Sequence, residues 1–418
     1  MTDIEVVNPV SSDDVRPWFA SMATTFLDDT EGETFERLVE AWRRDWPAER
    51  IWGARAHGRW VASLATQDRT ITVPGPGGTT RDVTVDALTA VAVNATHRRR
   101  GLLTRMLTDS LQVARERNAP FSILIAAEWP IYGRFGYAPA SRYATYRYYP
   151  RRSPLAGAES GSIRQVDPAD LDGIAAQVFD RARVRRAGQI DRRGEWWPRR
   201  LGLDGYRPIK RGKTPNYYVH ESDGRPDGLL WWSAERDFEL NGDLGAVTVG
   251  DLTAATDTAY RNLWAFLSGI DAVGEVVLDH RPIDEPIRWL LADGRALRQT
   301  YTGDDVWVRL LDVPAALAAR SYSTSDRLVI DVVDADTGGY AAGRYLLEAA
   351  DGESSCRRTE QSADLRVSQR TLASTYLGAF SLRQLAITGA FDELTPGAID
   401  RADAMFATTL APWNATMF

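Results

Sequence analysis

The sequence predicts two successive α/β domains followed by an α+β domain. The chain has 418 residues, which exceeds one ordinary domain and suits two or three domains of about 100–200 residues each. Strand and helix patterns alternate through the first two parts, as is typical of α/β folds, whereas strands precede helices in the last part. We therefore predict domains at residues 1–150, 151–310 and 311–418.

The composition is that of a soluble globular protein. Hydrophobic residues make up 44% and charged residues 26%, which excludes a disordered chain, a collagen and a disulfide scaffold. The net charge of −7 disfavours nucleic acid as a partner and suits cationic small molecules. Cys356 is the single cysteine, and the four histidines show no ligand spacing, so we expect no metal. Without a signal-peptide pattern or an apolar run of about 20 residues, we expect a cytoplasmic protein with no membrane span.

The first domain combines hairpin, strand and helix patterns. Two apolar stretches flank His57-Gly58-Arg59, which is typical of a hairpin. Apolar residues at helical spacing follow a long β-branched strand. The predicted elements are a hairpin over 51–66, a strand over 83–93, a helix over 99–117, a buried strand over 121–127, a tyrosine-rich segment over 142–149 and a linker over 150–154.

The second domain repeats this plan. Residues 247–254 are similar in sequence to residues 83–90, and an amphipathic helix follows each segment. In the second copy we expect this helix over 259–267 and the next strand over 275–278. The similarity favours an internal duplication, and two unrelated α/β units of similar strand composition are the alternative.

The third domain changes character because its strands are followed by helices. We predict a helix over 314–320, strands over 327–333 and 340–348, and helices over 368–376 and 398–410.

An arginine- and glycine-containing turn joins the strand ending at Val93 to the following helix. The unpaired N–H groups and the dipole of a helix N-terminus form an anion site. Gly101 has no Cβ to keep a phosphate away from the backbone, and Arg99 and Arg100 add charge-assisted hydrogen bonds. The pattern therefore predicts a pyrophosphate site that needs neither lysine nor Mg²⁺. A solvated basic loop before a helix is the alternative.

This turn resembles a known motif. Arg98-Arg99-Arg100-Gly101-Leu102 is similar to the acetyl-CoA pyrophosphate loop of the GNAT superfamily of N-acetyltransferases, with Leu103 standing where Gly or Ala is common. Residues 131–137 resemble the aromatic–glycine–aromatic segment of the same superfamily, at the expected distance after the strand over 121–127. Two motifs in the proper order are stronger evidence than either one alone.

The segments 96–103 and 131–137 also resemble signatures of the enhanced intracellular survival (Eis) family of actinobacterial acetyltransferases, and the resemblance covers essentially the whole chain. It implies tandem GNAT-type acetyltransferase folds followed by a sterol-carrier-protein-like domain, which residues 372–378 resemble. It also implies acetyl-CoA as cosubstrate, multi-amine acceptors such as aminoglycosides or lysine-like amines, and a homo-oligomer, expected to be a hexamer. The second copy has no Arg-x-x-Gly turn around 260–264, so we expect it to shape the substrate cavity without binding acetyl-CoA.

The resemblance implies roles for individual residues. Main-chain groups of Val91, Ala92 and Val93 would contact the pantetheine arm, although the side chains of these residues are expected in the core. Ala127 and Glu128 would lie beside the pantetheine. The pyrophosphate would be held by Arg99, Arg100, Gly101, Leu102, Leu103 and Thr104.

An acid and a base are implied as well. Tyr132 would be the general acid, because a phenol with its ordinary pKa of about 10 is protonated at neutral pH and can protonate the leaving thiolate. A structural tyrosine is the alternative, and Tyr137 is expected to pack. The C-terminal carboxylate of Phe418 would be the general base after the apolar tail over 411–418 inserts into the active site. Its ordinary pKa of about 3.3–3.7 would be raised by burial, whereas a disordered terminus is the alternative.

Substrate recognition has weaker support in the sequence. An acidic cluster follows an apolar helix over 18–26 and would attract polycationic amines, or it is an ordinary solvated loop. Phe26, Phe35 and Trp42 would line a cavity or belong to the core. The rival function is a non-enzymatic lipid- or partner-binding protein that uses the sterol-carrier-like domain. The acidic cluster consists of Asp28, Asp29, Glu31, Glu33 and Glu36.

Overall fold

The computed structural model describes residues 4–157, 160–171, 173–194, 196–203, 215–235, 245–336, 338–389 and 391–418. The chain forms two compact units. The first unit comprises the chain up to Ser141, then Asp305–Thr409 and Met417–Phe418, and the second comprises Arg142–Asp304 and Leu410–Thr416.

The first part of the chain alternates strands and helices. Its elements are β1 (Ile4–Val7), α1 (Val15–Phe26), α2 (Glu33–Asp45), β2 (Ile51–Ala56), β3 (Arg59–Pro74), β4 (Thr80–Val93), α3 (Leu102–Glu116), β5 (Phe121–Ile125), the single-turn α4 (Trp129–Tyr132) and β6 (Ala138–Pro139).

The middle part follows a similar order. Its elements are β7 (Arg142–Tyr148), β8 (Ser162–Val166), α5 (Ile174–Arg183), α6 (Trp196–Arg200), β9 (Asn216–Ser222), β10 (Arg225–Glu235), β11 (Gly245–Ala254), α7 (Asp257–Ser268), β12 (Val273–Pro282) and β13 (Leu297–Asp304).

The last part contains β14 (Val306–Leu310), α8 (Val313–Ala319), β15 (Asp326–Val333), β16 (Gly343–Ala350), β17 (Glu353–Arg358), β18 (Leu365–Ser368), α9 (Gln369–Thr375), α10 (Leu382–Leu385), β19 (Phe391–Glu393) and α11 (Ala398–Phe406). The sequence does not predict β17, β18 or β19, because these strands are short and carry few alternating apolar residues.

The first two sheets have equivalent strand orders. The first sheet has the order β1-β2-β3-β4-β5-β14-β6, and the second, read from its other end, has the order β8-β9-β10-β11-β12-β7-β13. The central pairs β4–β5 and β11–β12 are both parallel. This agreement supports the internal duplication that the sequence predicts.

The two sheets exchange one strand each. β7 follows β6 along the chain but pairs with β12 and β13. In return, β14 follows β13 but inserts between β5 and β6. The boundaries expected at 150 and 310 divide the chain by sequence order, whereas sheet membership changes near Ser141 and Asp305. Hydrophobic periodicity reports which face of a strand is buried and carries no signal for the sheet that the strand joins.

Two turns show how local chemistry sets the elements of the first unit. The predicted hairpin is present, and its turn residues His57 and Gly58 both have positive φ angles, 52° and 73°, as a two-residue type I′ turn requires. The helix expected over 99–117 begins only at Leu102. The positive φ angles of Arg99 and Gly101, 62° and 74°, are incompatible with an α-helix and extend the preceding turn.

The first sheet is covered on both faces. The neighbouring residues Ile51 and Trp52 point to opposite faces and belong to different core clusters, one with α1 and α2 and the other with α3. Phe35 is buried in the first cluster, and Trp42 packs against Trp18 at a ring distance of 5.2 Å. Both aromatic residues therefore belong to the core, whereas the side chain of Phe26 is 46% exposed.

The third sheet has the order β17-β16-β15-β18-β19 and belongs to the first unit. A fully buried ion pair joins Arg309 of β14 to Asp334 after β15 at 2.8 Å, and Phe121 of β5 contacts Tyr376 edge-to-face at 4.9 Å. None of the helices in the described ranges is long and apolar enough to cross a membrane. In the same ranges, no three His, Cys, Asp or Glu side chains are grouped to hold a metal ion.

Candidate active site

The strands β4 and β5 separate near the centre of the first sheet. Their described pairing is confined to Asp86–Ser122 and Ala87–Ile123, although β4 continues to Val93. A β-bulge interrupts β4, where Ala90 and Val91 together oppose a single residue of β3. The main-chain groups of Val91, Ala92 and Val93 therefore border an opening between the two strands. The side chain of Ala92 is buried and those of Val91 and Val93 are half-buried, as expected for core residues.

A buried polar network lies where the two strands separate. Arg50 Nη2 donates to Asp86 Oδ1 at 2.5 Å, and Ser122 Oγ donates to Asp86 Oδ2 at 3.1 Å. Tyr137 donates its hydroxyl hydrogen to Ser122 Oγ at 2.7 Å. Because these buried polar groups satisfy one another, the network fixes the geometry of the strand opening. Tyr137 thus has the packing role that the sequence predicts.

The turn between β4 and α3 leaves the N-terminus of α3 open. Gly101 occupies the N-cap position with a φ angle of 74°, and no side chain caps the helix. A Cβ at Gly101 would meet no atom within 4 Å. Glycine is therefore required at this position by the positive φ angle of the backbone and not by crowding. The free N–H groups of the first turn and the positive end of the helix dipole are thus available to an anion.

The residues predicted to hold a pyrophosphate surround this helix end. Arg99 and Arg100 are exposed, and Arg99 forms no ion pair with any described residue. Leu102 is buried and anchors the helix, Leu103 is half-buried, and Thr104 is exposed. The arrangement combines two exposed cations with oriented backbone donors, which is suited to a phosphate group.

Tyr132 ends the single turn α4, after β5 and the exposed residues Ala127 and Glu128. Its side chain is buried, and its ring lies 6.3 Å from that of Tyr137 in a T-shaped arrangement. The hydroxyl forms no hydrogen bond with a described residue. Burial raises the pKa of Tyr132 to about 12, with a smaller contribution from the charge of Glu128. The phenol is therefore protonated at neutral pH and has its donor free.

The last residue of the sequence lies beside β4. Thr89 Oγ1, one residue before the bulge at Ala90, donates to the main-chain oxygen of Phe418 at 3.3 Å. Phe418 is half-buried and makes no hydrogen bond with Tyr132 among the described residues. The structure thus brings Phe418 to the same strand as Val91, Ala92 and Val93. Sequence reasoning missed Thr89, because one threonine within a β-branched strand carries no signal of a partner far along the chain.

The corresponding helix of the second unit has a closed N-terminus. Only Ala255 and Thr256 connect β11 to α7 in this described region. Thr256 Oγ1 accepts a hydrogen bond from Ala259 N at 3.1 Å, and Asp257 places a negative charge in the first turn. The cap opposes anion binding because it consumes a backbone donor, while the Asp257 carboxylate is already paired with Arg185.

The acidic cluster is partly neutralised. Glu36 forms an ion pair with Arg16 at 2.6 Å, and Glu33 pairs with Arg37. In the described structure Asp28 and Asp29 form no ion pair, and both are exposed. These two carboxylates retain their charge for an incoming cation.

Comparisons with known proteins agree with this fold. Models of the acetyltransferase (GNAT) domain match residues 6–140 and 188–310, and a model of the sterol carrier protein domain matches residues 313–415. The tandem fold therefore defines an acetyltransferase enzyme of the GNAT class, in which the sterol-carrier-like domain completes the α/β and α+β architecture predicted from the sequence.

Relatives along the full chain identify the family. The chain is 36% identical over 424 residues to an uncharacterised N-acetyltransferase of Streptomyces griseus, covering 100% of this chain and 99% of the relative. It is 29% identical over 423 residues to N-acetyltransferase Eis of Mycobacterium tuberculosis, covering 98% of each. The crystal structure of Eis1 from Mycobacterium abscessus has a TM-score of 0.84 and 30% identity, with 100% of both chains covered. The chain belongs to the Eis family of N-acetyltransferases.

Proposed function

We propose that the enzyme transfers the acetyl group of acetyl-CoA directly to amino groups of multi-amine acceptors, such as aminoglycosides or lysine-like amines. In this proposal Tyr132 is the general acid and the C-terminal carboxylate of Phe418 is the general base. The observation that carries it is the hydrogen bond from Thr89 to Phe418, because Thr89 directly precedes the bulge of β4.

The residues of the first unit fit acetyl-CoA. The open N-terminus of α3 and the cations of Arg99 and Arg100 complement a pyrophosphate. Main-chain groups of β4 past the bulge, and Ala127 and Glu128 just after β5, border the opening in which a pantetheine amide finds donors and acceptors. When bound, acetyl-CoA supplies the acetyl group and leaves as coenzyme A.

The general base acts on the acceptor. An alkylamine is mostly protonated at neutral pH and attacks a carbonyl carbon only after losing a proton. The carboxylate of Phe418 accepts this proton, the free amine attacks, and the new C–N bond forms as the C–S bond of the thioester breaks. The second proton of the attacking nitrogen is released to solvent.

The general acid acts on the departing sulfur. Tyr132 is protonated at neutral pH, because burial raises its pKa to about 12. An ordinary thiol has a pKa of about 8.5, which is lower than that of the phenol. The hydroxyl of Tyr132 therefore first stabilises the charge developing on sulfur by donating a hydrogen bond. Its proton then passes to sulfur to complete the thiol, and a proton from solvent restores the phenol.

Charge supports a cationic acceptor. The chain carries a net charge of −7, and the exposed carboxylates of Asp28 and Asp29 have no cationic partner in the described structure. The same charge disfavours nucleic acid. We also propose a cytoplasmic homo-oligomer, a hexamer by family resemblance, and the 86% exposure of Trp289 provides an apolar side chain that an interface would bury.

The rival lipid-binding function has less support. The apolar interior of the sterol-carrier-like domain contains a cavity of about 10 Å³, lined by residues such as Ile330, Leu372 and Phe406. That volume corresponds to one water molecule, whereas small-molecule sites have volumes of about 300–1,000 Å³. A cavity of this size favours an enzyme over a lipid carrier.

The test measures release of coenzyme A thiol from acetyl-CoA with kanamycin, a polyamine and a lysine-containing peptide as acceptors. The wild-type chain is compared with a chain extended by two glycines after Phe418, which moves the terminal carboxylate. We expect kcat to fall by about 10²-fold or more in the extended chain, the usual effect of losing a general base. The dissociation constant of acetyl-CoA should stay within about threefold.

The variant Phe418→Leu is the matched control, because it keeps the carboxylate in place and should retain most of the activity. Full activity of the extended chain would remove Phe418 from the mechanism. No turnover with any acceptor, by a folded protein that binds acetyl-CoA, would refute the proposed acceptor class. Thermal stabilisation by fatty acids and none by acetyl-CoA would favour the rival.

A further inference from the structure

The segment just before the chain end is held along its length. The tail, Leu410–Thr416, belongs to the second unit and runs beside residues 186–192 of that unit. The hydrogen bonds that hold it are Arg186 Nη1 to Ala411 O at 2.5 Å, Trp413 N to Ala187 O at 3.0 Å, Gln189 Nε2 to Trp413 O at 2.9 Å, His280 Nε2 to Asn414 O at 2.9 Å and Arg192 Nη2 to Ala415 O at 2.9 Å.

Two polar side chains of the tail are completely buried. Asn414 Oδ1 accepts from Ile190 N at 3.3 Å and from Thr416 N at 2.9 Å, while Asn414 Nδ2 donates to Thr416 O at 2.7 Å. Thr416 Oγ1 donates to Ile190 O at 2.8 Å and accepts from Arg192 Nε at 3.3 Å. Buried groups that are satisfied in this way select a single conformation, since any shift leaves donors and acceptors unpaired. The tail is thus fixed to the second unit by its hydrogen bonds, unlike a frayed chain end.

Arg192 ties the tail to β11. Its guanidinium forms an ion pair with Asp251 of β11 at 2.8 Å and lies over the rings of Phe179 and Trp196, at 3.9 Å and 4.0 Å. Arg192 is almost completely buried, so its position is set by these partners. One side chain therefore holds a strand of the second sheet and two residues of the tail.

The end of β11 is used differently from the end of β4. The carbonyls of Gly250 and Leu252 accept hydrogen bonds from Arg200 and Arg281, both at 2.8 Å. Arg281 also lies over the ring of Trp413 in the tail, at 5.2 Å. In the equivalent strand β4, the main-chain groups past the bulge border an opening. Arg281 thus joins the end of β11 to the tail. In the proposed function, the equivalent strand end of the first unit faces acetyl-CoA instead.

We infer that the second GNAT domain positions the terminal carboxylate, with Asn414, Thr416 and Arg192 as its positioning residues. The inference rests on the proposed function, in which Phe418 is the base. With Thr416 held in place, the two residues that follow reach at most about 7 Å, since an extended chain spans about 3.3–3.6 Å per residue. A general base must stay within hydrogen-bond reach of its proton, and restricting its motion to this range supplies that proximity.

The closing experiment compares Thr416→Val with Thr416→Ser in the full-length chain. Valine keeps the shape and removes the hydroxyl, whereas serine keeps the hydroxyl. Three quantities are measured for each: the rate at which carboxypeptidase releases Phe418 and Met417, kcat with a multi-amine acceptor, and the dissociation constant of acetyl-CoA. The thermal unfolding midpoint checks the fold, and Asn414→Ala serves as an independent second variant that breaks the same anchor.

We expect Thr416→Val to speed carboxypeptidase release and lower kcat, each by about tenfold or more, with acetyl-CoA affinity within about twofold of wild type. Thr416→Ser should restore both quantities. A tail that stays protected in Thr416→Val and Asn414→Ala would overturn the inference. A tail that is released while kcat stays unchanged would also overturn it, provided that the chain extended after Phe418 is inactive. In that case the base acts without its anchor. Full activity of the extended chain would instead refute the base itself, and the inference with it.

Discussion

The two GNAT domains have the same strand order, but the N-terminus of the helix after the central strand is uncapped in the first domain and capped in the second. In the first, an arginine-rich turn ends at Gly101 and leaves the N-terminus of α3 uncapped. In the second, Thr256 caps α7 and Asp257 adds a negative charge. Because the sheets are equivalent, this difference lies in a turn and the first helical turn after it. A fold can therefore lose an anion site through a few residues and keep its architecture.

The largest effect is expected from removing the hydroxyl of Tyr132, which has no hydrogen-bond partner among the described residues. Tyr132→Phe in the first domain should lower kcat by about 10²–10⁴-fold, because the general acid is lost, with little change in stability. Tyr148→Phe in the second domain removes a buried hydroxyl that donates to Ser153 O at 2.7 Å. It should lower the free energy of unfolding by about 1 kcal/mol and leave kcat unchanged. Thiol release and urea unfolding of both variants check this; equal loss of activity in both would erase the contrast.

Charge reversal at the open helix end should have the next largest effect. The double variant Arg99→Glu, Arg100→Glu removes two charge-assisted contacts and adds repulsion, so acetyl-CoA should bind about 10²-fold more weakly. Arg261→Glu is the matched control, an exposed arginine of α7 in the second domain. Calorimetric titration of acetyl-CoA measures both affinities. Unchanged affinity in the double variant would mean that the turn is a solvated basic loop.

Substitution of the glycine at the same helix end, Gly101, distinguishes an effect on ligand approach from an effect on backbone strain. Gly101 and Gly58 have φ angles of 74° and 73°, and a Cβ would meet nothing within 4 Å at either. Alanine should therefore cost each site about 1 kcal/mol of stability. Only Gly101→Ala should also weaken acetyl-CoA binding, by about 5–10-fold, because the new methyl group stands where a phosphate approaches. Equal acetyl-CoA affinities in the two variants would exclude that role for Gly101.

The closed helix end of the second domain should respond through stability alone. Thr256→Ala removes the cap of α7 and a hydrogen bond to Asp227 Oδ2 at 2.8 Å. We expect the free energy of unfolding to fall by about 1–2 kcal/mol, while the Michaelis constant for acetyl-CoA is unchanged. Thr256→Ser, which keeps the hydroxyl, should be close to wild type. A changed Michaelis constant in Thr256→Ala alone would show that this helix end also communicates with the cosubstrate.

The smallest effect is expected from alkaline pH. The pKa of Tyr132 is raised to about 12, so the phenol keeps its proton well above the ordinary tyrosine value. At saturating substrates, kcat should change by less than about twofold between pH 8 and about pH 9.5. The stability contributed by this neutral phenol is fully present below about pH 10 and is lost as the pH rises towards 12. A fall in kcat with a midpoint below about pH 9 would assign the acid to another group.

The sequence predicts the local elements well and the long-range partners poorly. The strands and helices around the site follow from periodicity, and the Arg/Gly turn follows from the chemistry of helix ends. The start of α3 is misplaced by three residues, and the strand expected over 121–127 already ends at Ile125. The sequence does not predict the contact of Thr89 with Phe418 or the hydrogen bond between Ile190 N and Asn414. Each joins residues that are far apart in sequence, and a single sequence contains no signal for such pairs.

The exchange of β7 and β14 between the two sheets affects how the chain folds during synthesis and why both domains are retained. The first sheet stays incomplete during synthesis until residues 306–310 emerge, because β14 fills the place between β5 and β6. A gene truncated after the first domain would encode a sheet with two unpaired strand edges, which promote aggregation. Deleting the second copy would therefore damage the first. The exchanged strands give a physical reason why the second domain is retained although the N-terminus of its helix α7 is capped.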